Sequence, residues 1–217
     1  MTQLTLVISN PNYSSWSLRA WFALTAAGIP FTERRIPFLP EATRRERILR
    51  HSPSGKVPAL WDGDLCVWES LAIGEYLAEK FPDKNLWPAD RAARAVARSV
   101  SAEMHAGFAA LRHHMTMNCR RQRPGVGREA GVAEDIARVT TIWNQCRTQY
   151  GQGGPFLFGR LSFADAMYAP VVTRFKTYEV TVDAVSADYM KAVLALPAMQ
   201  EWYALARAEP ETIPQYE

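Results

Sequence analysis

The order of secondary-structure patterns in the first part of the chain constrains the fold more than any other feature of the sequence. The runs Leu4 to Ser9 and Phe31 to Ile36 are rich in β-forming residues and predict two strands. Between them, Leu18 to Ala27 has the apolar spacing of a helix, and the polar segment Glu41 to Arg50 predicts a second helix. This order predicts a β-α-β unit followed by a helix.

A β-hairpin is predicted next. Val57 to Trp61 and Leu65 to Trp68 have the composition of short strands, and Asp62-Gly63-Asp64 supplies a turn between them. A further helix is expected from Ser70 to Phe81. The sequence therefore predicts a small mixed sheet covered by helices.

The sequence pattern changes after Phe81, and no strand pattern follows that residue. Long helices are predicted at Arg91 to Met117 and at Glu129 to Tyr150. Two shorter helices are predicted at Ser186 to Leu196 and at Ala198 to Ala208, the second with a proline near its first position.

A helix start is also predicted at Ser162, where Asp165 can reach back to form a capping box. We expect three units along the chain. They are an α/β domain over 1–81, a linker over 82–89, and an all-helical domain over 90–217.

The composition argues against several classes of function. Lys and Arg number 25 against 22 Asp and Glu, which is too small an excess to predict a nucleic-acid-binding surface. No stretch reaches the roughly 20 apolar residues of a membrane span, so we expect a cytoplasmic protein that contacts neither nucleic acid nor membrane. The three cysteines, Cys66, Cys119 and Cys146, form no metal-binding motif and are expected to be reduced and structural.

Two dipeptides at the ends of predicted elements could bind an extended peptide. At Val57-Pro58, a cis bond would turn the N–H and C=O of Val57 outward for pairing, while a trans proline that starts an edge strand is the alternative. At Glu69-Ser70, Ser70 and the helix N-terminus could bind a carboxylate, and Glu69 could bind an ammonium group. The same pair could instead be an N-cap and a first-turn acid.

Lys56 and the loop Tyr13 to Ser17 could complete such a site. Lys56 could meet a second carboxylate as a mobile point charge, or lie on the surface as a solvated residue. The hydroxyl groups of Ser14 and Ser15 precede a predicted helix, where a donated hydrogen bond and the helix dipole would favour a thiolate. Ser15 or Ser17 could instead cap the helix. Ser14 is the first candidate for contact with a thiol, and Ser15 is the second.

These motifs resemble those of the cytosolic glutathione transferases over essentially the whole chain, and those of the zeta class most closely. Three segments carry the resemblance, namely Ser14 to Arg19, Ser52 to Leu60, and Trp68 to Ile73 followed by Glu75-Tyr76-Leu77. Leu161 to Asp165 resembles the capping box of the family's helical domain, which is a structural feature.

The resemblance implies a glutathione transferase fold, with a thioredoxin-like α/β N-terminal domain and an all-α C-terminal domain, assembled as a homodimer. The co-substrate would be glutathione, bound by Lys56, Val57, Pro58, Glu69 and Ser70. The family implies a cis bond before Pro58 and recognition of the γ-glutamyl group by Glu69 and Ser70. By the same resemblance Ser14 would activate the thiol for conjugation to an electrophilic small molecule.

The sequence departs from the zeta motif at Trp16, where that class usually has cysteine. This difference argues against a direct transfer of maleylacetoacetate isomerase activity, although glutathione-dependent isomerisation of that type stays an alternative to conjugation. A loop without cysteine makes a thioltransferase with a cysteine nucleophile a minor alternative. A non-catalytic interaction module with the same fold is a further one.

The second substrate is expected between the loop that contains Ser14 and the predicted helix from Arg91 to Met117. A broad face of that helix carries Met104, His105, Phe108, Arg112 and His113. These side chains could line a substrate pocket, or they could be core packing.

Overall fold

The computed structural model describes residues 3–217, and its N-terminal part is a mixed sheet covered by helices. The elements there are β1 (Leu4–Ile8), α1 (Ser15–Ala26), β2 (Phe31–Arg35), α2 (Glu41–Leu49), β3 (Ala59–Asp62), β4 (Leu65–Trp68) and α3 (Ser70–Lys80). The strand order is β2-β1-β3-β4, with β1 parallel to β2 and antiparallel to β3. The predicted order of strands and helices is confirmed.

The hairpin between β3 and β4 has a shorter turn than predicted. Asp62 pairs with Leu65, so that only Gly63 and Asp64 lie between the strands. Gly63 takes a left-handed conformation with φ of 60°, as two-residue hairpin turns require.

Helices dominate the chain after α3. They are α4 (Arg91–Ala106), α5 (Ala109–His114), α6 (Val132–Tyr150), α7 (Phe163–Thr177), α8 (Ala184–Ala195) and α9 (Pro197–Ala208), with short 3-10 turns at Pro82–Lys84 and Pro214–Tyr216. No helix among residues 3–217 is long and apolar enough to cross a bilayer. The proposed division into 1–81, 82–89 and 90–217 stays a prediction, and its first two residues lie outside those described.

The predicted single helix from Arg91 to Met117 is wrong, because the chain breaks it at Gly107 and Phe108. Phe108 adopts a left-handed conformation with φ of 60°, which separates α4 from α5. Arg112 Nη1 donates to the carbonyl oxygens of His105 and Gly107, both at 3.2 Å. These bonds satisfy acceptors that the end of α4 leaves without a helical partner. A tertiary contact therefore stabilises the break.

The predicted capping box of α7 is confirmed and lies in the interior. Asp165 accepts hydrogen bonds from the backbone N–H of Ser162 at 2.8 Å, from the Ser162 hydroxyl at 3.1 Å, and from the N–H of Leu157 at 3.1 Å. Nearly every residue of α7 is buried. The helix therefore forms the centre of the helical part of the molecule.

One hydrophobic cluster extends through both parts of the chain. Helix α1 packs on α7 and α9. At Gly74 of α3, an added Cβ would lie 2.5 Å from the ring of Phe163 in α7, so the ring rests directly on the glycine backbone. This close approach requires glycine and joins the sheet-bearing part to the helical part.

Candidate functional site

Ser14 is the N-cap of α1, which begins at Ser15 and not at Leu18 as predicted. Ser14 Oγ accepts a hydrogen bond from the N–H of Ser17 at 3.3 Å, so neither Ser15 nor Ser17 is the capping residue. This bond satisfies a first-turn donor and allows the helix to start earlier. The Ser14 hydroxyl consequently lies at the positive end of the helix dipole.

A chain of hydrogen bonds orients the Ser14 hydroxyl. The backbone N–H of Ser9 donates to Ser17 Oγ at 3.0 Å, and Ser17 Oγ lies 2.7 Å from Ser14 Oγ. Either hydroxyl can be the donor in this contact. When Ser17 donates, Ser14 Oγ accepts two hydrogen bonds and its own hydrogen is available to a ligand.

The helical part of the chain holds the loop that precedes α1. Glu209 accepts from the side chain of Asn10 and from the N–H of Asn12, the latter at 2.7 Å. Burial raises the pKa of Glu209, and the hydrogen bonds from Asn12 and Asn10 counter that rise. Tyr13, next along the loop, accepts from Arg120 Nη2 at 2.6 Å and so has its hydroxyl occupied in anchoring the loop.

A cavity of about 520 Å³ brings together most of the predicted binding residues. Its walls include Ser14, Lys56, Val57, Pro58 and Glu69. The peptide bond between Val57 and Pro58 is cis, as the resemblance implies. Residues that are far apart in sequence therefore share one concave surface.

Two predicted site residues do not line this cavity. Ser15 lines a neighbouring cavity instead. Ser70, the first residue of α3, is fully buried, and its Oγ has no hydrogen-bond partner among the residues described.

The first cavity carries both signs of charge. Arg44 of α2 and Lys56 contribute positive charge, and Glu69 is the carboxylate in its lining. Glu69 has φ of 70°, a conformation that costs a non-glycine residue about 1 kcal/mol or more. Arg44 is not distinguished by the sequence, because a single arginine within a polar helix has no characteristic local pattern.

His105 of α4 also faces this cavity. Its Nε2 lies 3.5 Å from Glu69 Oε2. Burial, followed by the charge of Arg19, lowers the pKa of His105, although Glu69 opposes the change. A neutral imidazole leaves the Glu69 carboxylate available to a cationic ligand.

A second cavity of about 490 Å³ adjoins the first. The two share Ser14, Trp16, Phe38 and Arg112. Arg112 and Arg174 place positive charge in the second cavity, His113 adds an imidazole, and no carboxylate side chain contributes to its described lining.

The residues that the sequence suggested for binding the second substrate lie partly in the cavities and partly in the core. Arg112 and His113 line the second cavity, and His105 lines the first. Met104 and Phe108 line neither cavity and are buried in the core. Arg174 of α7 was not among the candidates, because its pattern was that of a buried helix.

The cysteines lie away from both cavities. All three are free, and burial raises the pKa of Cys119 and of Cys146 to about 12. No cluster of three or more potential metal ligands occurs between residues 3 and 217. The thiols of Cys119 and Cys146 would be almost entirely protonated near neutral pH, which argues against a cysteine nucleophile.

The sequence matches two family models. Residues 13–80 match the model described as glutathione S-transferase, N-terminal domain, and residues 129–205 match the glutathione S-transferase, C-terminal domain. Together the two matches cover more than half of the chain.

Individual relatives agree with these models. Maleylacetoacetate isomerase of Rattus norvegicus is 28% identical over 86% of this chain and 87% of that protein. Dichloromethane dehalogenase of Methylorubrum extorquens is 38% identical, but the match spans 27% of this chain and only 21% of that protein. A crystal structure of a glutathione transferase homolog from Burkholderia gl BGR1, with bound glutathione, superposes with a TM-score of 0.72 at 22% identity, covering 96% of this chain and all of that one.

The rat isomerase match agrees with the resemblance to the zeta class, and the structural likeness confirms the fold. The chain combines three features that the resemblance implies. They are the order of a β-α-β unit, a hairpin and a helix, the cis bond before Pro58, and the all-helical second part. This chain belongs to the glutathione S-transferase family.

Proposed function

We propose that the protein is a glutathione transferase, an enzyme that activates the glutathione thiol and conjugates it to an electrophilic small molecule. The observation that carries the proposal is the junction of two cavities at Ser14. In the reaction the thiol proton passes to water and the sulfur attacks an electrophilic carbon. A C–S bond forms while the bond to the leaving group breaks, and the leaving group departs with the bonding pair.

Glutathione fits the first cavity by charge. Glu69 would hold the ammonium of the γ-glutamyl group, and Ser70 at the N-terminus of α3 would meet its carboxylate. Lys56 and Arg44 would meet the glycine carboxylate. The backbone of Val57 would pair with the peptide of the cysteinyl residue. The thiol would then lie at Ser14.

A binding experiment tests this arrangement. We expect Glu69→Gln to weaken glutathione binding by roughly 10- to 100-fold, because a charge-assisted hydrogen bond contributes about 1.5–3 kcal/mol. Isothermal titration calorimetry at millimolar glutathione measures the change, and Glu75→Gln, on the exposed side of α3, is the control. A wild-type protein that gives no heat of binding would favour the non-catalytic interaction module.

Glutathione-dependent isomerisation of the maleylacetoacetate type is the second candidate function. Arg112 and Arg174 in a cavity without a lining carboxylate favour an acidic second substrate. Arg174 is bound to the carbonyls of Met115 and Pro170 through Nε and Nη1, which leaves Nη2 for a ligand. Turnover of maleylacetone supports isomerisation, whereas turnover of an aryl halide alone supports conjugation.

A homodimer and a cytoplasmic location are part of the proposal and rest on the family analogy. Size-exclusion chromatography with light scattering tests the first, and fractionation of the source cell tests the second. Nucleic acid and membrane are not expected partners, since the net charge is only +3.

A further inference from the structure

Three arginines near the two cavities have no ion-pair partner among residues 3–217. Arg19 and Arg174 are only 2% and 5% exposed, and Arg112 is half-buried. None of the three forms an ion pair with an acidic side chain in the described part of the chain. A buried, unpaired guanidinium destabilises a protein, so three together need a compensating role.

The three arginines differ in which cavity their side chains line. Arg19 lies beneath Trp16, with its guanidinium carbon 4.2 Å from the ring centroid, and its Nε and Nη1 are buried without partners. Arg174 lines the second cavity only. Arg112 alone among them lines both cavities.

Arg112 is held firmly at this junction. Its Nη1 donates to two carbonyl oxygens at the end of α4, and its guanidinium carbon lies 4.8 Å from the ring centroid of Trp16. This cation–π contact also stabilises the position of Arg112. Trp16 is the residue at which this chain departs from the zeta motif. The remaining donors of the guanidinium have no hydrogen-bond partner in the described structure and are available to a ligand.

The sulfur of bound glutathione must also lie at the junction. Ser14 belongs to both cavities, and so does Arg112, so the two side chains face the same space. Glu69, which would be engaged by the ammonium group, is the acidic side chain facing this space. The other charged or titratable side chains that line the two cavities are Tyr13, Arg44, Lys56, His105, His113, Arg174 and Tyr216. Arg19 lies behind Trp16 and lines neither cavity.

We propose that Arg112 is a second catalytic group, which stabilises the thiolate opposite Ser14 and then the negative charge that passes to the leaving group. This inference rests on the proposed function. A fixed cation without an ion-pair partner among the described residues needs no rearrangement when charge develops on the substrate. Arg19 and Arg174 add positive potential from behind Trp16 and from the second cavity.

Three variants test the role of the charge. Arg112→Gln keeps donors for the carbonyls of His105 and Gly107 but removes the charge, while Arg112→Lys keeps the charge. The exposed Arg207 of α9 forms no ion pair with any residue that the structure describes, so Arg207→Gln is a control with the same change in net charge. The pKa of the bound thiol is measured from the ultraviolet absorbance of the thiolate, together with kcat for an aryl halide and the Kd of glutathione.

We expect Arg112→Gln to raise the pKa of the bound thiol by about 1–2 units. Below that pKa, kcat should fall by roughly tenfold or more. Arg112→Lys should retain most of the activation, and Arg207→Gln should match the wild type. Arg112→Met provides the same measurement if the glutamine variant does not fold.

A wild-type thiol pKa and kcat in a folded Arg112→Gln or Arg112→Met variant would overturn the proposal. So would a loss confined to the Kd of glutathione. If the wild-type enzyme itself bound glutathione without lowering the thiol pKa, the proposed function would fail. If Ser14→Ala lost activation and Arg112→Gln did not, only the role of Arg112 would fail.

Discussion

Replacing Ser14 with alanine is expected to lower kcat for an aryl halide by about 10- to 100-fold while changing the Kd of glutathione by less than about threefold. In the proposed site the Ser14 hydroxyl would donate to the sulfur, and a hydrogen bond to a charged group such as a thiolate contributes about 1.5–3 kcal/mol, more than one to a neutral thiol. A factor of ten in rate corresponds to about 1.4 kcal/mol. Steady-state kinetics across a pH series, with calorimetry for the Kd, measures both quantities.

Two neighbouring serines serve as controls. Ser15→Ala is expected to change kcat by less than about threefold, because Ser15 lines only the second cavity. Ser17→Ala removes the hydroxyl that hydrogen-bonds to the Ser14 hydroxyl, so its effect on kcat should lie between the other two. Equal losses for Ser14→Ala and Ser15→Ala would contradict the assignment of the thiol to Ser14.

The Asp165→Ala variant is expected to lower the free energy of unfolding by about 2–4 kcal/mol. The change leaves the N–H groups of Leu157 and Ser162 and the Ser162 hydroxyl without their acceptor in a fully buried place. Each unsatisfied buried group costs about 1–3 kcal/mol, and helix α7 also loses its cap. Urea denaturation gives the change as a lower midpoint at an unchanged slope.

Asp183, the N-cap of α8, provides a matched comparison at a more exposed helix start. Its side chain accepts from the N–H of Ser186 at 3.0 Å. Loss of an ordinary cap in Asp183→Ala should lower stability by only about 1 kcal/mol. Similar losses of unfolding free energy in Asp165→Ala and Asp183→Ala would show that burial of the capping box at Asp165 does not increase its contribution to stability.

The same carboxyl gives a pH dependence of known sign. Burial raises the pKa of Asp165 to about 6, whereas an aspartate in the unfolded chain titrates near ~3.9. Between these values the folded protein binds more protons than the unfolded one. The part of the stability that depends on protonation of Asp165 is therefore full below the unfolded value and is lost as the pH rises through about 6. The difference in stability between the wild type and Asp165→Asn across this range isolates that contribution.

Local patterns predicted the features that local interactions determine. The capping box at Ser162 and Asp165 is satisfied almost entirely within four residues, and the strand and helix order follows from periodicity. The cap of α1 at Ser14 is accompanied by a contact between Ser17 in that helix and Ser9, which directly follows β1. Sequence spacing alone does not contain that contact.

The break between α4 and α5 was not predicted for the same reason. The helical pattern continues through Gly107, and the left-handed Phe108 is accommodated because Arg112 reaches back to two carbonyls. Arg44 and Arg174 reach the cavities only because their helices pack around them, and no local sequence pattern marks either residue. The family resemblance indicated the candidate glutathione-binding residues, but it did not indicate these two arginines.

The clamp of Glu209 on Asn10 and Asn12 has a consequence for how the protein is made. A growing chain folds from its first residues onward as it leaves the ribosome. The sheet can assemble once residues up to Trp68 have emerged, yet the loop before α1 lacks its contacts with Glu209 until residue 209 has been added. The candidate site around Ser14 is therefore completed late, although Ser14 is among the first residues to be synthesised.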